Sequence, residues 1–244
     1  MQKFAVFDLD GTLIRWQLYH AAVDRLAKEG LLGPDARDTL REARMRWKRR
    51  ESGYSFRDYE ISLIQTYEQS VTDLSVAEVE AAMKHVIDEY QDQVYTYTRD
   101  LIAALKNEGY TMLAISGSHE ELVQAIAQHY GFDDWIGTRY KRAGASFTGE
   151  KYVASHDKEA ALNSLITKHK LTTEGSYAVG DSASDAAMLR MVEHPIAFNP
   201  DRALYDIATN AGWDIVIERK NVTYTLRKSQ DGYSLLDDTS SDRV

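Results

Sequence analysis

The chain contains no cysteine, so no disulfide framework can staple it, and that absence suits a reducing compartment. It has no apolar stretch approaching the ~20 residues that span a bilayer. Residues 1–15 show no basic segment followed by an apolar core, the pattern of a secretory signal. A soluble, cytoplasmic protein is the expectation. Positive charge is scarce: 29 Lys and Arg against 38 Asp and Glu leave a net charge of −9. That balance argues against general nucleic-acid binding and against an anionic membrane surface, and a phosphorylated ligand would need local positive charge. There is no internal repeat and no low-complexity run. The 244 residues can hold one well-buried domain, or one domain carrying a smaller insert.

What is present is organised around Lys3 to Leu13, KFAVFDLDGTL. Phe4, Ala5, Val6 and Phe7 form a short uncharged run, the pattern of a strand buried on both faces. Asp8 and Asp10 follow at i and i+2, a spacing that projects both to one side of an extended chain. Gly11 permits a turn that other residues resist and lets a ligand approach the backbone. Two carboxylates at the mouth of a buried strand disfavour joint ionisation. A divalent cation removes the conflict, and Mg²⁺ prefers hard oxygen ligands shared with substrate phosphate. A single Asp here would read as an acidic turn; the whole string reads as a site.

From Trp16 to about Tyr97 the periodicity is helical, with no convincing strand. Helices are expected near 18–26, 35–50 and 56–69, with a loop at 51–55. A fourth runs through Val76, Val79, Met83, Val86 and Tyr90, capped by Ser75 with Glu78 completing a capping box. After it, strands and helices alternate: helix 99–108, strand 110–115 ending in Ser116-Gly117-Ser118, and a helix closed by Gly131. Short strands and turns over 135–149 lead to helix 158–169 and strand 177–179 ending in Gly180-Asp181. Helix 185–192, strand 195–198, helix 201–211 and strand 213–217 complete the series. The sixteen residues from Ser229 are mostly polar and read as disordered. Such alternation implies a parallel α/β sheet, whose ligand site lies outside the carboxyl ends of the strands.

Three strands therefore deliver polar residues to one rim: Asp8 and Asp10, Ser116 opening a loop before a helix, and Asp181 with Asp185 one turn later. Taken singly, Ser116 could be an N-cap, Lys158 a surface lysine, Asp181 a turn residue and Asp185 a helix cap. Together they resemble the haloacid dehalogenase-like superfamily, whose members are mainly Mg²⁺-dependent phosphatases. Asp8-Leu9-Asp10-Gly11-Thr12 matches its first motif and Ser116 its second. Lys158 fits the third, with Lys151 a weaker candidate, and Gly180-Asp181-Ser182-Ala183-Ser184-Asp185 matches the fourth.

The helical stretch between the first two motifs looks like the cap of the phosphoserine-phosphatase-like branch. The resemblance implies a three-layer, Rossmann-like core of residues 1–14 and 98–244 with an all-helical cap inserted at 15–97. It implies a phosphatase acting on a small phosphate ester, with Mg²⁺ held by Asp8, Asp10, Asp181 and Asp185. Asp8 would be the nucleophile and Asp10 the acid–base, and Thr12, Ser116, Gly117 and Lys158 would bind phosphate. Two departures from phosphoserine phosphatases stand out. Gln17 occupies the position where they usually place a Glu that meets the substrate ammonium. Gly117-Ser118-His119 follows Ser116 where they usually have two glycines and a Phe. Phosphoserine itself is thereby put in doubt, and a catalytically silent binding protein stays as the alternative from another class.

Within the cap, Arg15, Trp16, Gln17 and Arg46 are the candidate substrate selectors, with Arg44 and Tyr54 beside them. The basic run Arg41 to Arg50 reads first as a solvated helix face, second as electrostatic steering of an anionic substrate, and last as a nucleic-acid patch. His119, His129, His156 and His194 have no metal-ligand spacing and read as structural or surface residues.

Overall fold

The apolar run after Gln2 is explained by what lies on either side of it. In the computed structural model, which describes residues 2–220, 222–230 and 232–236, β1 (Gln2–Phe7) sits at the middle of a nine-stranded sheet. Ala5 and Phe7 face one apolar layer, Phe4 and Val6 the other. A strand whose alternate residues both need burial shows no polar alternation. The neighbouring β2 (Thr111–His119) repeats this, with Met112 and Ala114 on the first side and Leu113 and Ile115 on the second.

The sheet order is β4-β3-β2-β1-β5-β6-β7-β8-β9. Its centre is parallel: β3 (Asp134–Ala143), β2, β1, β5 (Leu171–Gly180), β6 (His194–Phe198) and β7 (Asp214–Arg219). An antiparallel strand closes one end, β4 (Ser146–Tyr152), and two close the other, β8 (Val222–Ser229) and β9 (Gly232–Leu235). Helices α5 (Thr96–Asn107) and α6 (Glu120–Tyr130) cover the first face; α7 (Lys158–His169), α8 (Ala186–Leu189) and α9 (Arg202–Ala211) cover the second. This is the expected three-layer α/β architecture. From β1 the chain builds outward in both directions, so β1, β2 and β5 flank the switch point where open sheets of this kind form their crevice.

Between β1 and α5 lie the four expected helices: α1 (Leu18–Lys28), α2 (Ala36–Lys48), α3 (Phe56–Ser70) and α4 (Val76–Tyr90). The Ser75 cap of α4 is present as a reciprocal box: the Glu78 amide donates to Ser75 Oγ, and the Ser75 amide to the Glu78 carboxylate at 2.8 Å. The chain enters and leaves this segment side by side. Arg15 N donates to Gln93 O at 2.8 Å and Tyr95 N to Leu13 O at 2.9 Å. The segment also rests on the β3–β4 hairpin, where Val76 N donates to Ala145 O at 2.8 Å. No described helix is long and apolar enough to cross a membrane.

Four local expectations need correction. The Ser116-Gly117-Ser118 stretch is not a loop: β2 continues through it to His119, bonded to β3 across a bulge. Residues 134–152 form one long hairpin rather than scattered short strands. The helix after Asp185 is a 3₁₀ turn (Ala183–Asp185) followed by only four α-helical residues. Residues 232–235, expected as disordered tail, form a strand that pairs with β8. The part of the tail from 237 to 244 lies outside the described residues.

Because the capping box satisfies two otherwise orphaned amides, Ser75→Ala is expected to lower the unfolding free energy by about 1 kcal/mol. Urea unfolding at unchanged m value measures it, and an unshifted midpoint would show that the box contributes nothing.

Candidate active site

The site begins where β1 ends. Asp8 N donates to Val179 O of β5 at 2.9 Å, so the strand pairing itself sets the height of the Asp8 carboxylate. The chain then turns tightly, with Leu13 N and Ile14 N both donating to Leu9 O. Gly11 makes this turn at φ +80°, and a Cβ there would collide with the Asp181 carboxylate. Glycine lets the loop after β1 and the loop after β5 close on each other.

Lys158, the first residue of α7, reaches under both loops. Its ammonium donates to Asp8 Oδ1 at 2.6 Å, Asp185 Oδ1 at 2.5 Å and the Ile115 carbonyl at 3.1 Å, with 2% of the side chain exposed. The weaker alternative, Lys151, is on β4 and pairs instead with Glu68. Asp185 is held at its other end as well: Oδ2 accepts from Asp181 N at 3.1 Å, Ser182 N at 2.9 Å and Ser182 Oγ at 3.0 Å. Asp8, Asp181 and Asp185 each present an oxygen, all within 4.8 Å of one another.

Asp10 stands beside this group with both oxygens engaged. Oδ1 accepts from Leu18 N at 2.5 Å and from Ser118 Oγ at 3.1 Å, while Oδ2 accepts from Ser116 Oγ at 2.5 Å. Ser118 was missed by the sequence reading. Its signal was the i, i+2 spacing from Ser116, which places both hydroxyls on one face once β2 is known to continue. Thr12 Oγ1 is buried with no partner among the described residues, while the Thr12 carbonyl accepts from Thr98 Oγ1 at 2.9 Å. Gly117 packs closely against Ser155, which a Cβ would approach at 3.0 Å.

Burial dominates the electrostatics. Desolvation, against the opposing pull of Lys158, pushes Asp8 up to about 8, and the neighbouring Asp185 and Asp10 add to the rise. Asp181 is raised by the same cause and by Asp8 and Asp185, against the opposing pull of Lys158. Desolvation disfavours the Lys158 charge, yet Asp185 and Asp8 outweigh it and hold the lysine above its ordinary value. One ammonium, bonded to Asp8 and Asp185, thus serves a cluster of three carboxylates with Asp10 beside it. Carboxylate oxygens with so little countercharge suit a hard divalent cation such as Mg²⁺.

A family model described as haloacid dehalogenase-like hydrolase matches residues 5–190, which include every group just described. The chain belongs to the haloacid dehalogenase-like hydrolases. A histidinol-phosphatase of Neisseria meningitidis is 26% identical over 228 residues, 88% of this chain and 99% of that protein. A phosphoserine phosphatase of Archaeoglobus fulgidus is 26% identical over 212 residues, 85% of this chain but only 55% of that protein. The chain thus spans about half of the archaeal relative. A solved phospho-aspartyl intermediate analogue of phosphoserine phosphatase has the same fold, with TM-score 0.61 at 23% identity over 90% of this chain and 94% of that one.

In this haloacid dehalogenase-like hydrolase the expected core positions converge, whereas the helical-segment candidates are spread out. Gln17, half-buried, points its amide toward Gly11. Trp16 carries the Arg44 guanidinium 4.9 Å above its ring. Arg15 lies 5.5 Å from the Tyr95 ring centre. Arg46 is committed to Glu51 at 2.9 Å and to the Tyr54 ring at 4.1 Å, on the α2–α3 loop. His119 is buried, stacked between Tyr19 and Tyr140, and desolvation followed by Arg142 pushes it down to about 3, which fits a structural histidine. His129 pairs with Asp92 on the surface, and His194 stacks on Tyr177.

The raised Asp8 yields a pH prediction. With its folded value near 8 against 3.8 unfolded, the folded metal-free chain holds a proton that the unfolded chain has released. That contribution is complete below the unfolded value and is lost as pH rises toward 8. In chelator, the melting temperature of wild type relative to Asp8→Asn should fall between pH 5 and pH 8, and Mg²⁺ should restore wild type most at pH 8. A pH-independent difference would contradict the assignment.

Proposed function

We propose that this hydrolase is a Mg²⁺-dependent phosphatase that cleaves a small phosphate monoester through an aspartyl phosphate on Asp8. The observation that carries the reading is the asymmetry of Asp8: its Oδ1 is pinned by Lys158, and Asp10 is fixed close by. Asp8, Asp181 and the Asp10 main-chain carbonyl would hold the ion, with Asp185 as a further ligand or as the support of Lys158. When bound, the cation supplies charge neutralisation for the phosphoryl oxygens and keeps the acidic cluster ionised.

The chain's own groups account for the bonds made and broken. An Asp8 carboxylate oxygen attacks phosphorus, and the ester P–O bond breaks. Asp10 gives its proton to the leaving oxygen, releasing the alcohol. A water then loses its proton to Asp10 and attacks the same phosphorus. The P–O bond to Asp8 breaks, regenerating the carboxylate, and inorganic phosphate departs. Lys158, Thr12 Oγ1, Ser116 and the Gly117 amide neutralise and orient the phosphoryl oxygens, the stabilisation on which phosphoryl transfer mainly depends.

Residues 15–97 act in this reading as a cap over the carboxyl-end rim, with Arg15, Trp16, Gln17 and Arg46 among the side chains that choose the alcohol. An uncharged Gln17 favours a leaving group other than the amino-acid part of phosphoserine. The full-length match to a protein named histidinol-phosphatase supports a small phosphorylated alcohol.

Release of p-nitrophenol from p-nitrophenyl phosphate should require Mg²⁺ and fall to background in Asp8→Asn. An acid quench of wild type with labelled substrate should trap an alkali-labile phosphoprotein that the variant lacks. Asp10→Asn should lose roughly 10²–10⁴ in kcat. Full activity in Asp8→Asn would end the nucleophile assignment. Histidinol phosphate and O-phosphoserine, assayed side by side, test the substrate class.

A further inference from the structure

We infer that Ser118 is a positioning residue for Asp10, holding one of its oxygens so that the other delivers the proton to the leaving group. The inference rests on the phosphatase reading above. Ser118 Oγ is 1% exposed as part of its residue and sits at a junction of three segments. It donates to Asp10 Oδ1 at 3.1 Å, and it accepts from Tyr19 N at 2.9 Å. The second bond fixes the direction of the first: with its acceptor side occupied by the Tyr19 amide, the hydroxyl proton is left to point at Asp10. Leu18 N, one residue earlier, donates to the same Asp10 oxygen at 2.5 Å. Two donors from independent elements, the end of β2 and the first turn of α1, therefore converge on Oδ1.

Asp10 Oδ2 is held differently. Among the described residues its one partner is Ser116 Oγ at 2.5 Å. Ser116 also has a phosphoryl oxygen to serve when substrate is present, and its own oxygen accepts from Ser118 N at 2.9 Å, which keeps it in place while its proton turns. When the Ser116 hydroxyl turns its hydrogen bond from Asp10 to a phosphoryl oxygen, keeping its proton, Oδ2 is left free while Oδ1 stays clamped. Oδ1 is then the anchored oxygen and Oδ2 the working one. A proton delivered from a carboxyl that cannot rotate arrives in the right direction, and orientation of this kind is a large part of intramolecular catalysis.

The experiment separates proton delivery from general damage by varying the leaving group. Wild type, Ser118→Ala, Ser118→Gly and Ser118→Thr are assayed with Mg²⁺ on a series of substituted phenyl phosphates from p-nitrophenyl to unsubstituted phenyl. A nitrophenolate departs with little help, whereas phenolate needs the proton. Ser118→Ala should lose about tenfold or more in kcat/KM on phenyl phosphate and less than about threefold on p-nitrophenyl phosphate, steepening the dependence on leaving-group basicity. Ser118→Gly should do the same, and Ser118→Thr, which keeps the hydroxyl, should retain the wild-type slope. Equal losses across the series, or an unchanged slope in both hydroxyl-free variants, would overturn the inference. Melting temperatures identify a variant that fails to fold, and the alanine and glycine forms stand in for each other. Wild type inactive on every ester would instead sink the phosphatase reading, so the two failures are distinguishable.

Discussion

A buried lysine held between two buried carboxylates is the constraint on which the rest of the site depends. Lys158 is enclosed by Asp8, Asp185 and the Ile115 carbonyl. Removing one partner from such a group leaves an uncompensated buried charge, a loss of several kcal/mol, whereas an apolar replacement of the whole set is often neutral or better. Stability alone therefore gives no reason to keep it. What it does is spatial. The ammonium ties the start of α7 to the ends of β1 and β2 and to the loop after β5, so four segments distant in sequence are locked at one point. Asp185 extends the lock by accepting the Asp181 and Ser182 amides, which shapes the loop that presents the Asp181 carboxylate.

The same geometry is electrostatically incomplete. A cluster of three carboxylates, with Asp10 beside it, shares one ammonium, and in a water-poor pocket the imbalance appears as raised values at Asp8 and Asp181. A divalent cation held there would offset that imbalance and favour the ionised carboxylates. The acidic whole, at −9, makes this local correction more necessary.

The parts of this arrangement that were legible in the sequence are those written in local grammar. The uncharged run before Asp8, the Ser75–Glu78 box, the closing Gly131 and the Gly-Asp step after β5 each carry their own conformational cause. Lys158 was legible only through a resemblance, because nothing local distinguishes a lysine that enters a core from one that does not. What escaped had non-local causes. Ser116-Gly117-Ser118 has turn composition, but pairing with β3 keeps it extended, and that misreading hid Ser118. The polar residues around Gly232 look like tail because β9 is an edge strand, exposed on most of its length and ordered by pairing with β8. The hairpin at 134–152 likewise carries many exposed polar side chains, since it projects past the layers that bury the central strands.

The helical segment is joined to the chemistry more tightly than its place in the sequence suggests. Its apolar interior is continuous with the first face of the sheet, so Leu18 and Leu26 belong to the same cluster as Ala5 and Phe7. Its first helix also begins inside the site: the amides of Leu18 and Tyr19, on the opening turn of α1, hold Asp10 and Ser118. A cap that swung as a rigid body about the paired crossings at 13–15 and 93–95 would carry those amides away and release Asp10. Any opening that keeps Asp10 held in this way must therefore leave the first turn of α1 in place. In the proposed reading, substrate choice and proton transfer would meet at one short stretch, Arg15 to Tyr19, where the Gln17 amide near Gly11 and the Leu18 amide on Asp10 are neighbours in the chain.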